Sequence, residues 1–374
     1  MTDITGFADA METAQPAAFV ITINHPSTAM APTNHAAWLK AKQDPVMIVA
    51  EAPYTNPAEG ELVIRTKAVA INPADWHIQG KGMLVTQFPA ILGCDVAGEV
   101  VEVHPSLADR YVVGDRVTGS ANPLFNKAGV YCYSGFQEFM IPIPSQISKI
   151  PEHTSYEDAV VLPLGVNTAA SCIFSKEILN LEMPFESDGG KGKTLLIWGA
   201  SSSVGACGVQ MATLAGYDVV GVASRNNHDM VKSLGAKTCF DHNDATVIDD
   251  LVESLKGMDV VGAYAAISTP VTIPLCCEVL DRCGGNKVVA SVMPGAEAFS
   301  SRGVSVQSNL VAMQSFKAEG KLTATWEWLE KALQEGKMKC MPPHEVVGHG
   351  LGDVQKAVDL IGRGVSGKKL VVVL

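Results

Sequence analysis

Residues 194–208, T-L-L-I-W-G-A-S-S-S-V-G-A-C-G, constrain this chain more than any other stretch. A short apolar run leads into a turn of small residues, and an apolar helical pattern leaves it. A buried parallel strand followed by a crossover helix belongs to an open α/β sheet. Such a turn presents backbone N–H groups at a helix N-terminus, where a phosphate can sit. The G-x-G-x-x-G spacing fits with Ala200, Ser202 and Gly205 at the glycine positions and Gly199 as an extra small residue before them. Gly199, Ala200, Ser201, Ser202, Ser203, Val204 and Gly205 are therefore the expected pyrophosphate turn, with Gly205 packing helix on strand. A simple strand-to-helix turn with capping serines is the alternative. No Lys-Ser/Thr follows, so a Walker A loop is excluded.

The next strand-like run, 218–222 (DVVGV), selects the dinucleotide. An NAD site puts Asp or Glu about 20 residues after the turn, on the ribose 2′-OH. Here Ser224-Arg225 stands instead, with His228 nearby, which favours a 2′-phosphate and hence NADP(H). A solvated surface arginine is the alternative for Arg225. Ser268 and Met293 follow successive strands, at the carboxyl edge where ligands bind in such sheets.

Strand–helix alternation continues from about residue 155. Residues 194–198, 218–222, 260–265 and 287–291 read as parallel strands, and 206–215 and 229–234 as helices. Upstream the texture differs. Segments such as 61–70 (ELVIRTKAVA) and 98–103 (GEVVEV) are β-branched or alternating and are punctuated by Gly and Pro, an antiparallel, barrel-like pattern. Two amphipathic helices (325–334, 354–363) and a closing strand (369–374) end the chain. The fold class is thus α/β: a β-barrel domain plus a doubly wound domain. Residues 1–33 read as a poorly ordered leader with one short strand at 19–23.

A net charge of −11 gives no basic face for nucleic acid, and no apolar run is long enough to span a membrane. Nine cysteines without a C-x-x-C argue against a disulfide framework or a four-cysteine zinc lobe, and for a reducing, cytoplasmic setting.

The order LGCDVAGEVVEV, VGDRV, GFQEF, LPLGVNTA, GASSSVG, LGA and SGKKLVV resembles the medium-chain dehydrogenase/reductase superfamily from about residue 34 onward. INPADW and LPLGVNTA resemble its zinc-free branch of quinone reductases, 2-alkenal reductases and fungal trans-acting enoyl reductases. There is particular likeness to fungal "zinc-binding oxidoreductase" sequences of the cellobiose-induced type. The resemblance implies a GroES-like catalytic domain (34–160 and 322–374), a Rossmann domain (161–321) and an active-site cleft between them. It implies NADPH-dependent reduction of an enone, enal, quinone or enoyl thioester, as a monomer or homodimer, with a polyketide synthase as a candidate partner.

Site residues follow from that resemblance. Asn72 matches a position beside the nicotinamide, or is a turn residue before proline. His77 stands where similar enoyl reductases carry a lysine, and either binds the carbonyl oxygen or donates a proton, or is a surface histidine. Thr168 matches a threonine near the nicotinamide ribose and substrate, or is a helix-interior threonine bonding its own backbone. Trp76, Cys94 and Asp95 are expected to line the substrate cleft, with Trp76 and Cys94 otherwise ordinary core. His242 is expected near the adenine, and Lys368 or its neighbour Lys369 at the cofactor. Cys94-Asp95 replaces the His-Glu pair of zinc-bearing relatives, so no metal is expected, although Cys94, Asp95 and His77 offer donors.

Overall fold

The computed structural model describes residues 32–125, 129–186 and 189–374. The expected leader, with its short strand at 19–23, lies outside the described residues apart from its last two.

Six parallel strands form one sheet in the order Thr238–Asp241, Asp218–Ala223, Lys193–Trp198, Asp259–Ala265, Val288–Ser291, Ser305–Ser308. Numbered along the chain, that order is 3-2-1-4-5-6, the doubly wound dinucleotide-binding arrangement. The strand order reverses between Lys193–Trp198 and Asp259–Ala265, and sheets of this kind bind ligands outside the carboxyl ends at such a point. Thr238–Asp241 and Ser305–Ser308 carry too few apolar residues to stand out in the sequence. The sheet buries near-continuous runs such as Leu195, Leu196 and Ile197, each 0 % exposed.

A second sheet runs His344–His349, Lys369–Val373, Leu62–Ala70, Asp95–Val103, Arg116–Ser120, Ile147–Lys149. Its pairings are antiparallel except that His344–His349 runs parallel to Lys369–Val373. The C-terminal strand thus returns to the first half of the chain. A small sheet (Ile48–Ala52, Asn34–Leu39, Ala90–Ile91) closes the barrel-like side.

Residues 33–374 form one unit. The reason lies in the core around helix Pro163–Phe174. Ala68, Ala97 and Val371 from the barrel sheet share one buried cluster with Ile173, Leu195, Met211 and Val231 from the parallel-sheet side. Helix Pro163–Phe174 packs on helix Ser203–Leu214, and Gly165 makes this possible. A Cβ there would meet the Cys207 sulfur at 2.8 Å and Ser203 Oγ at 3.2 Å.

Candidate active site

Strand register assembles the site. Val371 pairs with Ala70 in antiparallel register, and the Ile71 N–H donates to Leu370 O, so Lys369 arrives beside Asn72. Ala70 in turn pairs with Asp95. Three strands therefore bring Lys369, Asn72 and Asp95 to one point. Lys369 Nζ lies 2.9 Å from Asp95 Oδ2 and donates to Asn72 Oδ1 at 2.6 Å. Its third partner is Ser203 Oγ, at 3.4 Å, at the start of helix Ser203–Leu214. Asn72 Nδ2 donates to Asp95 Oδ2 at 2.8 Å, and the Leu164 N–H donates to Asp95 Oδ1 at 2.7 Å. All three side chains are almost fully buried. An ammonium ion has three donors, and here each has an acceptor, which is what lets the charge remain buried.

A second buried carboxyl stands behind this group. Asp75 accepts from the Asn72 N–H at 2.9 Å and the Gly93 N–H at 3.1 Å, pinning helix Pro73–Lys81 to the Gly93-Cys94 turn. Burial raises it from 3.8 to about 7, the two backbone N–H groups and Lys369 oppose the rise, and the nearby Asp95 adds to it. Burial, with Asp75 and Asp95 beside it, also pushes the Cys94 thiol well above its usual range.

The turn after Lys193–Trp198 has the geometry of a phosphate cradle. Gly199 adopts φ +81°, and a Cβ there would strike Ile267. A Cβ on Gly205 would run into the carbonyl of Gly199, so the helix sits as close to the strand as backbone allows. Gly199 and Ala200 both donate their N–H to Val222 O at 2.9 Å. Ser202 caps the helix, its Oγ accepting from the Gly205 N–H at 3.1 Å. Ser203 and Val204, in the first helical turn, retain N–H groups for an anion. Ser201 is buried behind the turn.

At the end of the next strand, Ser224, Arg225 and His242 converge. Ser224 Oγ and His242 Nε2 are 3.0 Å apart. Arg225 is held by Asp244 at 2.8 Å and Asp241 at 3.5 Å while its side chain stays 69 % exposed.

Other expected residues lie elsewhere or are engaged. Lys368 points outward and pairs with Glu345, because strand alternation puts it on the opposite face from Lys369. The His228 ring is engaged at the strand end: its Nε2 lies 3.1 Å from the carbonyl oxygen of Ala223, the residue before Ser224. Ser268 reaches the crevice edge, but its hydroxyl knits loops, donating to Ala265 O at 2.5 Å and accepting from Ser291 Oγ at 2.9 Å and the Val292 N–H at 3.1 Å. Met293 packs against the core below the sheet. Trp76 is half-buried: its indole lies over Gly362, where a Cβ would meet it, and Lys81 Nζ lies 5.2 Å from the ring centroid. Asn72 is a bridge whose amide is taken up by Asp95 and Lys369. Thr168, nearly buried, sits one turn beyond Leu164 on the same helix face. His77 stacks edge-on to Trp76 at 4.9 Å with a buried, unpartnered Nδ1, and burial and Lys81 lower its pKa. The roles of Asp75 and of Lys369 as the centre of the cluster went unread in the sequence. The NPAD capping pattern was a signal for Asp75.

Known proteins share this architecture. Residues 58–163 match the alcohol dehydrogenase GroES-like domain, and residues 203–335 match the zinc-binding dehydrogenase family. The chain is 40 % identical over 343 residues to a zinc-binding alcohol dehydrogenase domain-containing protein, cipB, of Emericella nidulans, covering 91 % of this chain and 98 % of that one. It is 34 % identical over 347 residues to the trans-enoyl reductase himH of Aspergillus japonicus, covering 91 % and 97 %. Among solved structures, CurK enoyl reductase superposes with a TM-score of 0.69 at 18 % identity, over 91 % of this chain and 99 % of that one. The mycobacterial protein Rv1454c, solved complexed with NADPH, gives 0.66 at 22 %, over 91 % and 100 %.

One matching family is named for zinc, and the residues here do not fit that ion. The Asp95 carboxylate is taken up by Lys369, Asn72 and the Leu164 N–H. The Cys94 thiolate that zinc would require is disfavoured by burial and two carboxyls. Among the described residues no group of three or more His, Cys, Asp or Glu could hold a metal ion. A dinucleotide does fit: the cradle at Gly199 and Gly205 leaves room only for backbone, and a helix N-terminus faces it.

Proposed function

Because the chain belongs to the medium-chain dehydrogenase/reductase superfamily of oxidoreductases, we propose that it is an NADPH-dependent reductase of polarised C=C bonds or quinones that works without zinc. The observation that carries this reading is the buried Lys369–Asp95–Asn72 cluster beside the start of the phosphate helix. With its carboxylate so engaged, Asp95 offers nothing to a metal ion, and alcohol oxidation would need that Lewis acid. Reduction of an enone, enal, quinone or enoyl thioester has no such need.

Bound NADPH supplies the hydride. The protein's part is to hold the dinucleotide and the acceptor in register and to stabilise charge developing on the carbonyl oxygen. Ser203 and Val204 receive the pyrophosphate at the helix N-terminus. Ser224, Arg225 and His242 receive the 2′-phosphate, and Arg225 exchanges Asp244 for it. The fixed Lys369–Asp95 pair keeps the barrel strand ends in place beneath the cleft. We assign Thr168 and His77 to the acceptor. The lowered pKa of His77 keeps its imidazole neutral near pH 7, so it serves as a hydrogen-bond donor to the carbonyl oxygen rather than as a cation. Nine free cysteines support a reducing, cytoplasmic setting.

A relative named trans-enoyl reductase, 34 % identical, favours a second form of the reading, in which the acceptor is an enoyl thioester carried on a polyketide synthase. Turnover of NADPH with free enones and quinones, compared with carrier-bound enoyl thioesters, separates the two. Reduction of neither class, with NADPH bound, would reject both in favour of a non-catalytic NADPH-binding protein.

A further inference from the structure

Asn227 ties together two segments that no strand pairing joins. Its Nδ2 donates to Ser201 Oγ in the phosphate turn at 3.2 Å and to Ser366 Oγ at 2.9 Å. Ser366 lies three residues before Lys369, in the loop that feeds the C-terminal strand of the barrel sheet. Asn227 also occupies the N-cap position of the short helix His228–Ser233, where an asparagine side chain would ordinarily cap its own helix. It makes no such bond. The amide is spent across the molecule instead.

Its neighbours keep this reach rigid. The Asn227 N–H donates to Ser224 O at 2.8 Å, locking the amide two residues from Arg225 and three from Ser224. Gly367, at φ +64°, passes so close to Asn227 that a Cβ would collide with its Oδ1. Ser201, having accepted from Asn227, still has its own proton to donate.

We propose that Asn227 is a positioning residue for the dinucleotide. It holds the phosphate turn, through Ser201, to the 366–368 loop, and so sets the C-terminal strand and Lys369 in register with the cofactor's phosphate bridge. This inference rests on the reading of the turn as an NADPH site. Whole dinucleotide senses the link because it spans turn and cleft. A fragment that occupies only the 2′-phosphate end does not.

The test is affinity measured on folded protein for NADPH and for adenosine 2′-monophosphate, which has no 5′-phosphate to reach the turn, in wild type, Asn227→Ala, Ser366→Ala and the double variant. Each single change should weaken NADPH about fivefold, the value of one or two hydrogen bonds. The double variant should be no weaker than Asn227→Ala, because the two residues act as one link. Adenosine 2′-monophosphate should bind all four alike. Unchanged NADPH affinity in both single variants overturns the proposal, as do additive losses or an equal loss of the fragment, which would mark a merely structural residue. A wild type that binds no NADPH would instead overturn the cofactor reading itself.

Discussion

Lys369 Nζ lies 2.9 Å from Asp95 Oδ2, and the two side chains are 4 % and 0 % exposed. Removing one partner leaves the other charged and buried. Asp95→Ala or Lys369→Ala should therefore cost about 3–5 kcal/mol of stability. Replacing both with apolar residues, Asp95→Leu with Lys369→Met, removes the lone buried charge but orphans the Asn72 amide and the Leu164 N–H, so it should recover only part of that loss. Denaturant unfolding of the three variants checks this; equal stability of wild type and Lys369→Ala would contradict it.

Gly205 allows the helix to rest against the carbonyl of Gly199. Gly205→Ala forces them apart, with an overpacking cost of about 1–3 kcal/mol. NADPH should no longer raise the melting temperature of this variant, because the cradle has moved. A wild-type NADPH-induced shift in Gly205→Ala would show that the turn does not hold the phosphates.

Arg225 is paired with Asp244 at 2.8 Å while exposed to solvent. Arg225→Ala should lower NADPH affinity roughly ten- to hundredfold, the worth of hydrogen bonds to a charged phosphate. NADH affinity should change little. Asp244→Asn frees the guanidinium and should strengthen NADPH by a few-fold at most, as an exposed ion pair permits. Parallel titrations with both dinucleotides measure this, and equal losses for NADPH and NADH on Arg225→Ala would contradict the assignment.

Burial raises the Asp75 carboxyl from 3.8 to about 7, so the native state keeps a proton that the unfolded chain releases. Between those values the native state binds more protons, and stability falls as pH rises. This contribution is fully present below pH 3.8 and is lost as pH climbs through about 7. Asp75→Asn carries no titrating group. It should be less stable at low pH, having one acceptor for two N–H groups, but should lack this decline. Thermal melts across that pH range give the difference, and parallel curves for the two proteins would contradict it.

Much of the architecture was legible because it follows from local pattern. The Lys193–Trp198 strand and the helix after Ser202 announce themselves through an apolar run and a small-residue turn. Ser224 and His242 lie 18 residues apart, yet meet because parallel strands end at one edge. The catalytic-side cluster was harder to read. Whether Lys368 or Lys369 points inward depends on a one-residue register against Leu62–Ala70, which two adjacent lysines do not reveal. Ser268 and Met293 follow strands that end at Ala265 and Ser291, and position alone does not show that the hydroxyl serves a loop network and the thioether packs on the core. The packing of Trp76 on Gly362 could not be foreseen, because nothing local discloses that Gly362 arrives there from the far end of the chain.

The most direct test of the whole account is NADPH oxidation by purified protein in the presence of a metal chelator, with a panel of enones, enals, quinones and enoyl thioesters as acceptors. The account predicts acceptor-dependent oxidation of NADPH, with the C=C bond or quinone reduced, NADH far less effective and the chelator without effect. A preference for NADH, or activity confined to alcohol oxidation and abolished by the chelator, would contradict it.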